Sequence, residues 1–332
     1  MDRILLDVHC HLVPLTQEQT LGLDGIGWDE QTGSLTIDGY TLTSAPVYQV
    51  EALLEWMDSN NVEKAWISIP PPLYRLGLDG PSAEEWATRV NEALVAVADQ
   101  HPDRLGSMFY LPVQHPHLAA SIVRDLATNH APIFSMSAGS ADGKVVISGG
   151  AYEALWQELD GAEAFLFLHP SKGCDPRYEH FYLHNLLGSP VETALAAAHL
   201  TLSGVLDRYR AMKLCLAHGG GAAAAVAGRL ERGQVTGRPG ANTGARRPRE
   251  VLRNVGIDCI CHDPAALEFA ASRHGRDNVY FGSDWPFPMG LPEPHSQLEE
   301  VDQGLKRSLF QDNPERLIER FWRRGPRSSM AS

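Results

Sequence analysis

The chain has 332 residues, of which 43% are hydrophobic and 21% are charged, and its formal net charge is −13. This length allows a large hydrophobic core, and the acidic balance argues against binding to nucleic-acid phosphates or to an anionic membrane surface. No run of eighteen apolar residues occurs, so the sequence predicts neither a membrane span nor a secretory signal. We therefore expect a cytoplasmic protein without nucleic-acid or membrane partners.

Short apolar runs alternate with segments of helical periodicity along the whole chain. The runs predict eight strands, over residues 4–8, 64–69, 105–111, 132–136, 164–168, 213–217, 255–260 and 279–283. The segments between them predict helices over 50–60, 82–100, 118–128, 152–159, 190–209 and 264–274. This alternation predicts the α/β class, with a parallel sheet closed into a distorted (β/α)8 TIM barrel.

Two segments interrupt the alternation. Residues 15–47 are turn-rich and alternate in polarity, which predicts a small β-hairpin insertion after strand 1 that forms a lid over the barrel mouth. Residues 234–249 are rich in Gly, Arg and Pro and predict a surface loop. We expect a single domain over residues 1–324 and a disordered tail over 325–332.

Several strand-like runs end in side chains that can bind a metal or carry a proton. His9 and His11 are two residues apart on a strand, so both imidazoles point to the same face. Cys10 points to the opposite face and is not expected to be a ligand. The later runs end at His169, His218 and Asp284. Because active sites of such barrels lie at the carboxyl ends of the strands, we expect these side chains to meet.

Three neutral imidazoles and one carboxylate with an open position suit Zn²⁺, and Mn²⁺, Fe²⁺ or Co²⁺ would also fit. His218 precedes three glycines that let a substrate approach closely, so we interpret it as a general acid and base. The alternatives are that His218 is a further ligand or a core histidine, and that Asp284 is a helix cap.

The chain resembles the amidohydrolase superfamily, in the amidohydrolase-2 branch that contains 2-amino-3-carboxymuconate-6-semialdehyde decarboxylase and related decarboxylases, hydratases and carbon-carbon hydrolases. The matching motifs are DVHCH at 7–11, LHP at 168–170, LAHGGG at 216–221 with GR at 228–229, and FGSDWPFP at 281–288. Further similarity lies at 188–193, 262–264 and 312–317. The resemblance therefore spans nearly the whole chain.

The resemblance implies specific roles for the same residues. It makes His9, His11, His169 and Asp284 the zinc ligands, and His218 the catalytic residue that activates a metal-bound water beside Asp284. It also implies a carboxy-lyase that decarboxylates an aromatic or ring-opened unsaturated carboxylic acid. A hydrolase of C–C or C–N bonds or a hydratase on the same site is the alternative. A catalytically inert barrel is a third hypothesis, against which the intact ligand set argues.

Arg229 lies eleven residues after His218. The resemblance implies that this arginine reaches into the neighbouring subunit's site and binds a substrate carboxylate, which would require a homodimer. From the charge pattern alone, Arg229 would be interpreted as a solvated helix residue.

One departure concerns the lid. The resemblance implies that an arginine on the inserted hairpin holds a second substrate carboxylate, whereas residues 4–63 of this chain contain no lysine or arginine. The semialdehyde substrate is therefore not favoured. Arg75 or Arg177 could replace the missing cation, or Tyr40 and Tyr48 could bind a neutral or phenolic group instead.

Aromatic and polar residues around the site give two further expectations. Trp285 and Phe287 are expected to form an aromatic wall for the substrate or to pack against the barrel rim. The loop over residues 171–178, which includes Arg177, is polar and longer than a minimal turn, so we expect it to contact the substrate.

Overall fold

Parallel strand pairings run around the whole fold. The computed structural model describes residues 1–29, 31–139, 143–171, 173 and 175–322. Its strands β1–β12 are, in chain order, Ile4–His11, Ile26–Trp28, Leu35–Ile37, Tyr40–Leu42, Val62–Ser68, Leu105–Ser107, Phe109–Leu111, Ile133–Ser137, Phe165–His169, Lys213–Leu216, Gly256–Asp258 and Val279–Tyr280. The tail predicted over residues 325–332 lies outside the described residues.

Helices cover the outside of the strands. The α-helices α1–α12 are, in chain order, Val50–Ser59, Gly80–Gln100, Pro116–Asn129, Glu153–Gly161, Ser189–Leu202, Val205–Arg208, Ala223–Val235, Pro248–Val251, Pro264–His274, Pro294–Gln297, Gln303–Arg307 and Asn313–Leu317. Helical turns of π type at Ser308–Asp312 and Ile318–Trp322 extend the last two. Among the described residues, no helix is long and apolar enough to cross a membrane.

The strands close into a ring. β1 pairs in parallel with β5, β5 with β6, and β7 to β12 pair in parallel in sequence order. Met108 lies between β6 and β7 in the chain, and its N–H donates to the carbonyl of Ile67 in β5 at 3.0 Å. The Val8 N–H donates to the Phe281 carbonyl at 3.0 Å, which joins β1 to the segment after β12. This ring is the (β/α)8 barrel that the sequence predicts.

The barrel strands are buried on both faces, between the barrel interior and the helices. All five residues of β9 are buried, as are all five of β8. Strands covered on both sides are recognisable as continuous apolar runs rather than as alternating ones. This burial explains why the apolar runs predicted the strands so directly.

Two observed helix boundaries differ from the predicted ones because of local backbone conformation and capping. Gly204 has φ +77°, a left-handed conformation that glycine adopts at little cost, so the helix predicted over 190–209 is divided into α5 and α6. The Asp79 side chain accepts a hydrogen bond from the Ser82 N–H at 3.0 Å, and α2 therefore begins two residues earlier than predicted.

The segment predicted as a surface loop over 234–249 is tied to the barrel. It begins in the last turn of α7 and ends in α8. Within it, the Nε2 of the buried Gln234 donates to the carbonyls of Asn242 at 2.8 Å and Ala245 at 3.0 Å. The Arg246 N–H donates to the Asp207 carboxylate at 2.6 Å. The loop is therefore held both by hydrogen bonds within itself and by a hydrogen bond to α6.

The insertion after β1 contains three strands rather than the predicted two. β3 and β4 form the hairpin, with Asp38 and Gly39 at its turn at φ +48° and +83°, as a two-residue turn of this hand requires. β2 pairs antiparallel with β3 as well. The lid is therefore a small antiparallel sheet.

Arg75 fastens the lid to the barrel. It follows β5 with φ +42°, and its side chain is 4% exposed. Its guanidinium donates to both oxygens of Asp38, at 3.0 and 2.8 Å, and to the Asp24 carbonyl at 2.6 Å. The guanidinium also lies over the Trp86 ring. Arg75 is consequently occupied by the lid and is not free to replace the missing substrate cation.

We expect an Arg75→Gln substitution to loosen the lid without unfolding the barrel. Loss of the paired hydrogen bonds should speed amide hydrogen exchange over residues 24–42 by about 3- to 10-fold, since half of the Asp38 side chain is exposed and solvent weakens the pair. Arg124→Gln, which removes a pair between α3 and α4, is the matched control. Unchanged exchange in the lid of Arg75→Gln would show that other contacts hold it.

Candidate metal centre

β1 places two imidazoles in the barrel interior. His9 and His11 are buried, and their rings meet edge to face with centroids 5.0 Å apart. The Cys10 thiol points away from them and donates to the Trp66 carbonyl at 3.5 Å. The predicted alternation along β1 is therefore observed, and Cys10 stands outside the site.

Each candidate histidine ligand is held through its Nδ1 atom. His9 Nδ1 lies 2.7 Å from Asp258 Oδ2, His11 Nδ1 lies 3.2 Å from the Ile69 carbonyl, and His169 Nδ1 lies 2.8 Å from the Pro170 carbonyl. Carbonyls and carboxylates only accept hydrogen bonds, so these contacts assign the hydrogen to Nδ1 in each ring. The Nε2 lone pairs are left free, which is the arrangement of metal-ligating histidines.

The free donor atoms converge on one point. The Nε2 atoms of His9 and His11 are 3.1 Å apart, and Asp284 Oδ1 lies 3.4 and 3.2 Å from them. The Nε2 of His169 is buried without a hydrogen-bond partner. One ligand atom from each of the four residues lies within 4.8 Å of the others. Lone pairs that face one another in this way are repulsive without a cation between them, so the donor set fits a divalent metal.

The charges of the site point the same way. Burial alone lowers the pKa of His9, but the Asp284 and Asp258 carboxylates outweigh it and raise that pKa to about 10. Burial together with the His9 charge lowers the pKa of His11 and that of His169. Without a metal, the centre would therefore hold one proton on His9 in place of the missing positive charge.

His218 stands beside the ligand group but outside it. Its Nε2 is 3.9 Å from Asp284 Oδ2, and its Nδ1 is buried without a hydrogen-bond partner. Burial lowers the pKa of His218, so the ring is neutral at neutral pH. Its backbone has φ +55°, and the next residue must be glycine, because a Cβ at Gly219 would overlap the Cys261 sulfur. Non-glycine residues in this conformation cluster at functional sites.

Asp258 is the functional residue that the sequence analysis missed. It ends β11, and its Oδ2 faces His9 Nδ1 at 2.7 Å and accepts the His218 N–H at 2.9 Å. Its Oδ1 accepts the N–H groups of Gly219 at 2.7 Å and Ile260 at 3.1 Å. The strand was predicted over residues 255–260, which placed Asp258 inside it, whereas the observed strand ends at Asp258.

A cavity of about 390 Å³ opens beside His218 and Asp284. Its volume falls in the lower part of the range of about 300–1,000 Å³ that small-molecule sites usually have. Of the described lid residues, 15–29 and 31–47, none lines this cavity. Tyr48 is engaged within the lid, where its hydroxyl donates to the Leu42 carbonyl, and Tyr40 is 55% exposed.

The structure does not bring every predicted substrate residue to the cavity. Arg177 is 86% exposed and paired with Asp175, and Trp285 is buried in the hydrophobic core. The ring of the half-buried Phe287 lies 5.6 Å from that of His11. Arg229 is exposed on α7 and does not line the cavity of its own chain. Of the loop 171–178, residues 172 and 174 lie outside the described residues.

We expect Asp258→Asn to weaken metal binding by about 10- to 100-fold, because the amide cannot accept all of the N–H groups that the carboxylate accepts. Competition with a chromophoric chelator measures the affinity. Asp263→Asn, which alters a carboxylate of the same loop that caps α9, is the matched control and should keep the wild-type affinity. Equal affinities of Asp258→Asn and the wild type would show that Asp258 does not orient the ligands.

Metal binding should release about one proton per chain near pH 7.5, because the proton that His9 holds in the metal-free protein must leave before Nε2 can bind. Affinity should accordingly rise with pH and fall about tenfold per unit as the pH is lowered below the raised pKa. Calorimetric titration in buffers of different ionisation enthalpy counts the protons. Binding enthalpies that do not depend on the buffer would contradict a protonated His9.

The described site can be compared with known proteins. The chain is 25% identical over 311 residues to a 2-amino-3-carboxymuconate-6-semialdehyde decarboxylase of Dictyostelium discoideum, which covers 90% of this chain and 86% of the relative. Its fold matches the crystal structure of a 5-carboxyvanillate decarboxylase from Sphingomonas paucimobilis with a TM-score of 0.77 at 20% identity, over 96% of this chain and 99% of that one.

A second solved structure, a dihydroxybenzoic acid decarboxylase from Polaromonas with bound manganese, matches with a TM-score of 0.75 at 19% identity, over 96% of this chain and 97% of that one. At these identities the structures show a shared fold. The sequence model of the family described as amidohydrolase matches residues 6–320, nearly the entire chain. This protein therefore belongs to the amidohydrolase family.

Proposed function

We propose that this protein is a metal-dependent carboxy-lyase that removes carbon dioxide from an aromatic or ring-opened unsaturated carboxylic acid. The observation that carries the proposal is the convergence of three Nε2 atoms and Asp284 Oδ1 on one point, with Asp284 and the neutral His218 lining a cavity. Zinc is the proposed metal, and manganese fits the same ligands.

The relatives support the choice of reaction. The proteins named above are decarboxylases, and a further relative, a gamma-resorcylate decarboxylase of Rhodococcus jostii, is 24% identical over 86% of this chain. The Dictyostelium and Rhodococcus relatives are matched over 86% and 88% of their own lengths, and the family model covers residues 6–320, which include all four candidate ligands.

The residues of this chain have separate roles in the proposed reaction. A divalent cation at the four ligands would supply Lewis-acid polarisation of a substrate oxygen and lower the pKa of a nearby water. His218 can hold a proton on Nε2, which faces Asp284 at the cavity. When the bond to the carboxylate carbon breaks, its electron pair stays on the substrate carbon, and one proton must be delivered there. The Asp258 carboxylate accepts the backbone N–H of His218 and so fixes the position of that histidine.

We also propose a homodimer in which Arg229 completes the site of the partner subunit. Its exposure on α7 and its absence from its own cavity support this arrangement. α5, which packs on α7, and the segment that leads into α5 expose several large apolar side chains: Phe181, Tyr182, Leu186, Leu187 and Leu195. Exposed apolar surface of this kind favours a protein contact.

Purified protein should contain about one metal ion per chain and release carbon dioxide from a member of a panel of ortho-hydroxy and ortho-amino aromatic acids and muconate-type acids. His169→Ala should lose both metal and turnover. His218→Ala should keep the metal and lower kcat by at least about 100-fold, because only the proton carrier is removed. Elemental analysis and a coupled carbon dioxide assay give the two readouts.

The outcomes separate the competing functions. Metal with water uptake but no carbon dioxide release would point to the hydrolase or hydratase alternative. Protein without metal, even after incubation with Zn²⁺ or Mn²⁺, would contradict the proposed site. Metal loss in His218→Ala would show that this histidine is a ligand.

Arg229→Ala should lower kcat/KM by at least about tenfold, because a charge-assisted contact to the substrate carboxylate is lost. Mixing it with His218→Ala chains should recover part of the activity, since some mixed dimers then hold one intact site. Lack of recovery in mixtures in which an affinity tag on one variant co-purifies the other would argue against sharing of Arg229 between subunits.

A further inference from the structure

Apart from His218 and Asp284, the lining of the cavity forms a largely apolar wall. Leu186, Pro190, Ile260, Phe269 and Met289 line it, together with alanines of α7 and α9. The uncharged polar groups of Asn185 and Ser189 lie at the same cavity. Among the described lining residues there is no lysine or arginine, Asp284 is the one carboxylate, and His218 and His262 are the two histidines.

Among the described residues, three arginines do not bring a positive charge to this wall. Arg75 is buried in its contacts with Asp38 and Asp24, and Arg177 is exposed and paired with Asp175. Arg273 stacks over the outer end of the wall, 5.3 Å from the Phe269 ring, and does not line the cavity. The lid sequence from 15 to 47 supplies no basic residue.

A charged group that leaves water for such a wall loses its hydration without gaining a partner, which is costly. One carboxylate can be placed at the base, toward the metal ligands and His218. A second carboxylate on the far side of the ring would face Phe269 and Met289. A methyl or other apolar group in that place would instead gain by burial, and a neutral hydroxyl could pair with Asn185 or Ser189.

We propose that the site selects monocarboxylic acids whose far side carries apolar or neutral substituents, and rejects acids with a second carboxylate there. This inference rests on the proposed function, and it narrows the substrate class of the same site. The selection comes from the absence of a positive charge on the wall that this chain forms, because the cation that the proposed dimer adds, Arg229 of the partner subunit, is assigned to the carboxylate that the reaction removes.

The test compares pairs of 2-hydroxybenzoic acids that differ only in a methyl or a carboxylate at one ring position. With metal-loaded protein at pH 8, where ordinary exposed imidazoles are mostly neutral, we expect kcat/KM for the methyl member to exceed that for the carboxylate member by at least about tenfold at the preferred position. Equal turnover, or faster turnover of the carboxylate member, would overturn the inference.

A charge placed on the wall supplies a second measurement. Met289 is 38% exposed at the cavity, so a longer polar side chain can be accommodated there. Met289→Lys should raise the ratio of kcat/KM for the carboxylate member to that for the methyl member by about 5- to 10-fold relative to Met289→Gln. Glutamine is polar and as long as methionine but carries no charge. An equal ratio in the two variants would show that the missing charge does not set the preference.

Two further variants test whether a cation outside the described cavity lining binds the second carboxylate. Arg273→Gln and Lys172→Gln should leave the ratio unchanged; Lys172 lies outside the described residues. If the unmodified protein turns over the carboxylate member and either variant loses that turnover, the inference is wrong. If no acid releases carbon dioxide, the proposed function fails, and calorimetric binding of the same pairs to metal-loaded protein then decides the inference separately: tighter binding of the methyl member supports it, and equal binding overturns it.

Discussion

The buried carboxylate of Asp258 connects the parts of the candidate centre. One oxygen faces His9 Nδ1 and accepts the His218 N–H, and the other accepts the Gly219 and Ile260 N–H groups. It thereby sets the tautomer of His9, the left-handed backbone of His218 and the turn that follows β11. Because these contacts share one carboxylate, the metal ligands and the proton carrier are positioned together rather than independently.

The electrostatic balance of the barrel interior follows from this arrangement. Two carboxylates, Asp258 and Asp284, lie among imidazoles that burial would otherwise keep neutral, and their charge raises the pKa of His9. Such a cluster is stable when a cation takes the place of the proton. The fold therefore brings together, at the carboxyl ends of its strands, a set of donor atoms and charges that fits a divalent metal.

Basic residues serve the fold more than the cavity. Arg75 holds the lid through Asp38, and the Arg246 guanidinium pairs with Asp207 beside the loop after α7. Among the described residues, no lysine or arginine lines the cavity. The lid, on which Tyr40 was one alternative for binding a neutral group, is held to the barrel by Arg75, and its described residues do not line the cavity. The proposed specificity therefore rests on the wall formed by α5, α7 and α9.

The sequence by itself determined the barrel and the four candidate ligands, because buried parallel strands are continuous apolar runs and the residues that end them share one rim. It could not determine Asp258, since one aspartate at a strand end carries no periodic signal and its role depends on His9, 249 residues away. Nor could it show that Arg75 is paired with Asp38 or that Trp285 is buried, because a side chain's partner depends on which elements the folded chain brings together. Only the tertiary structure decided those contacts.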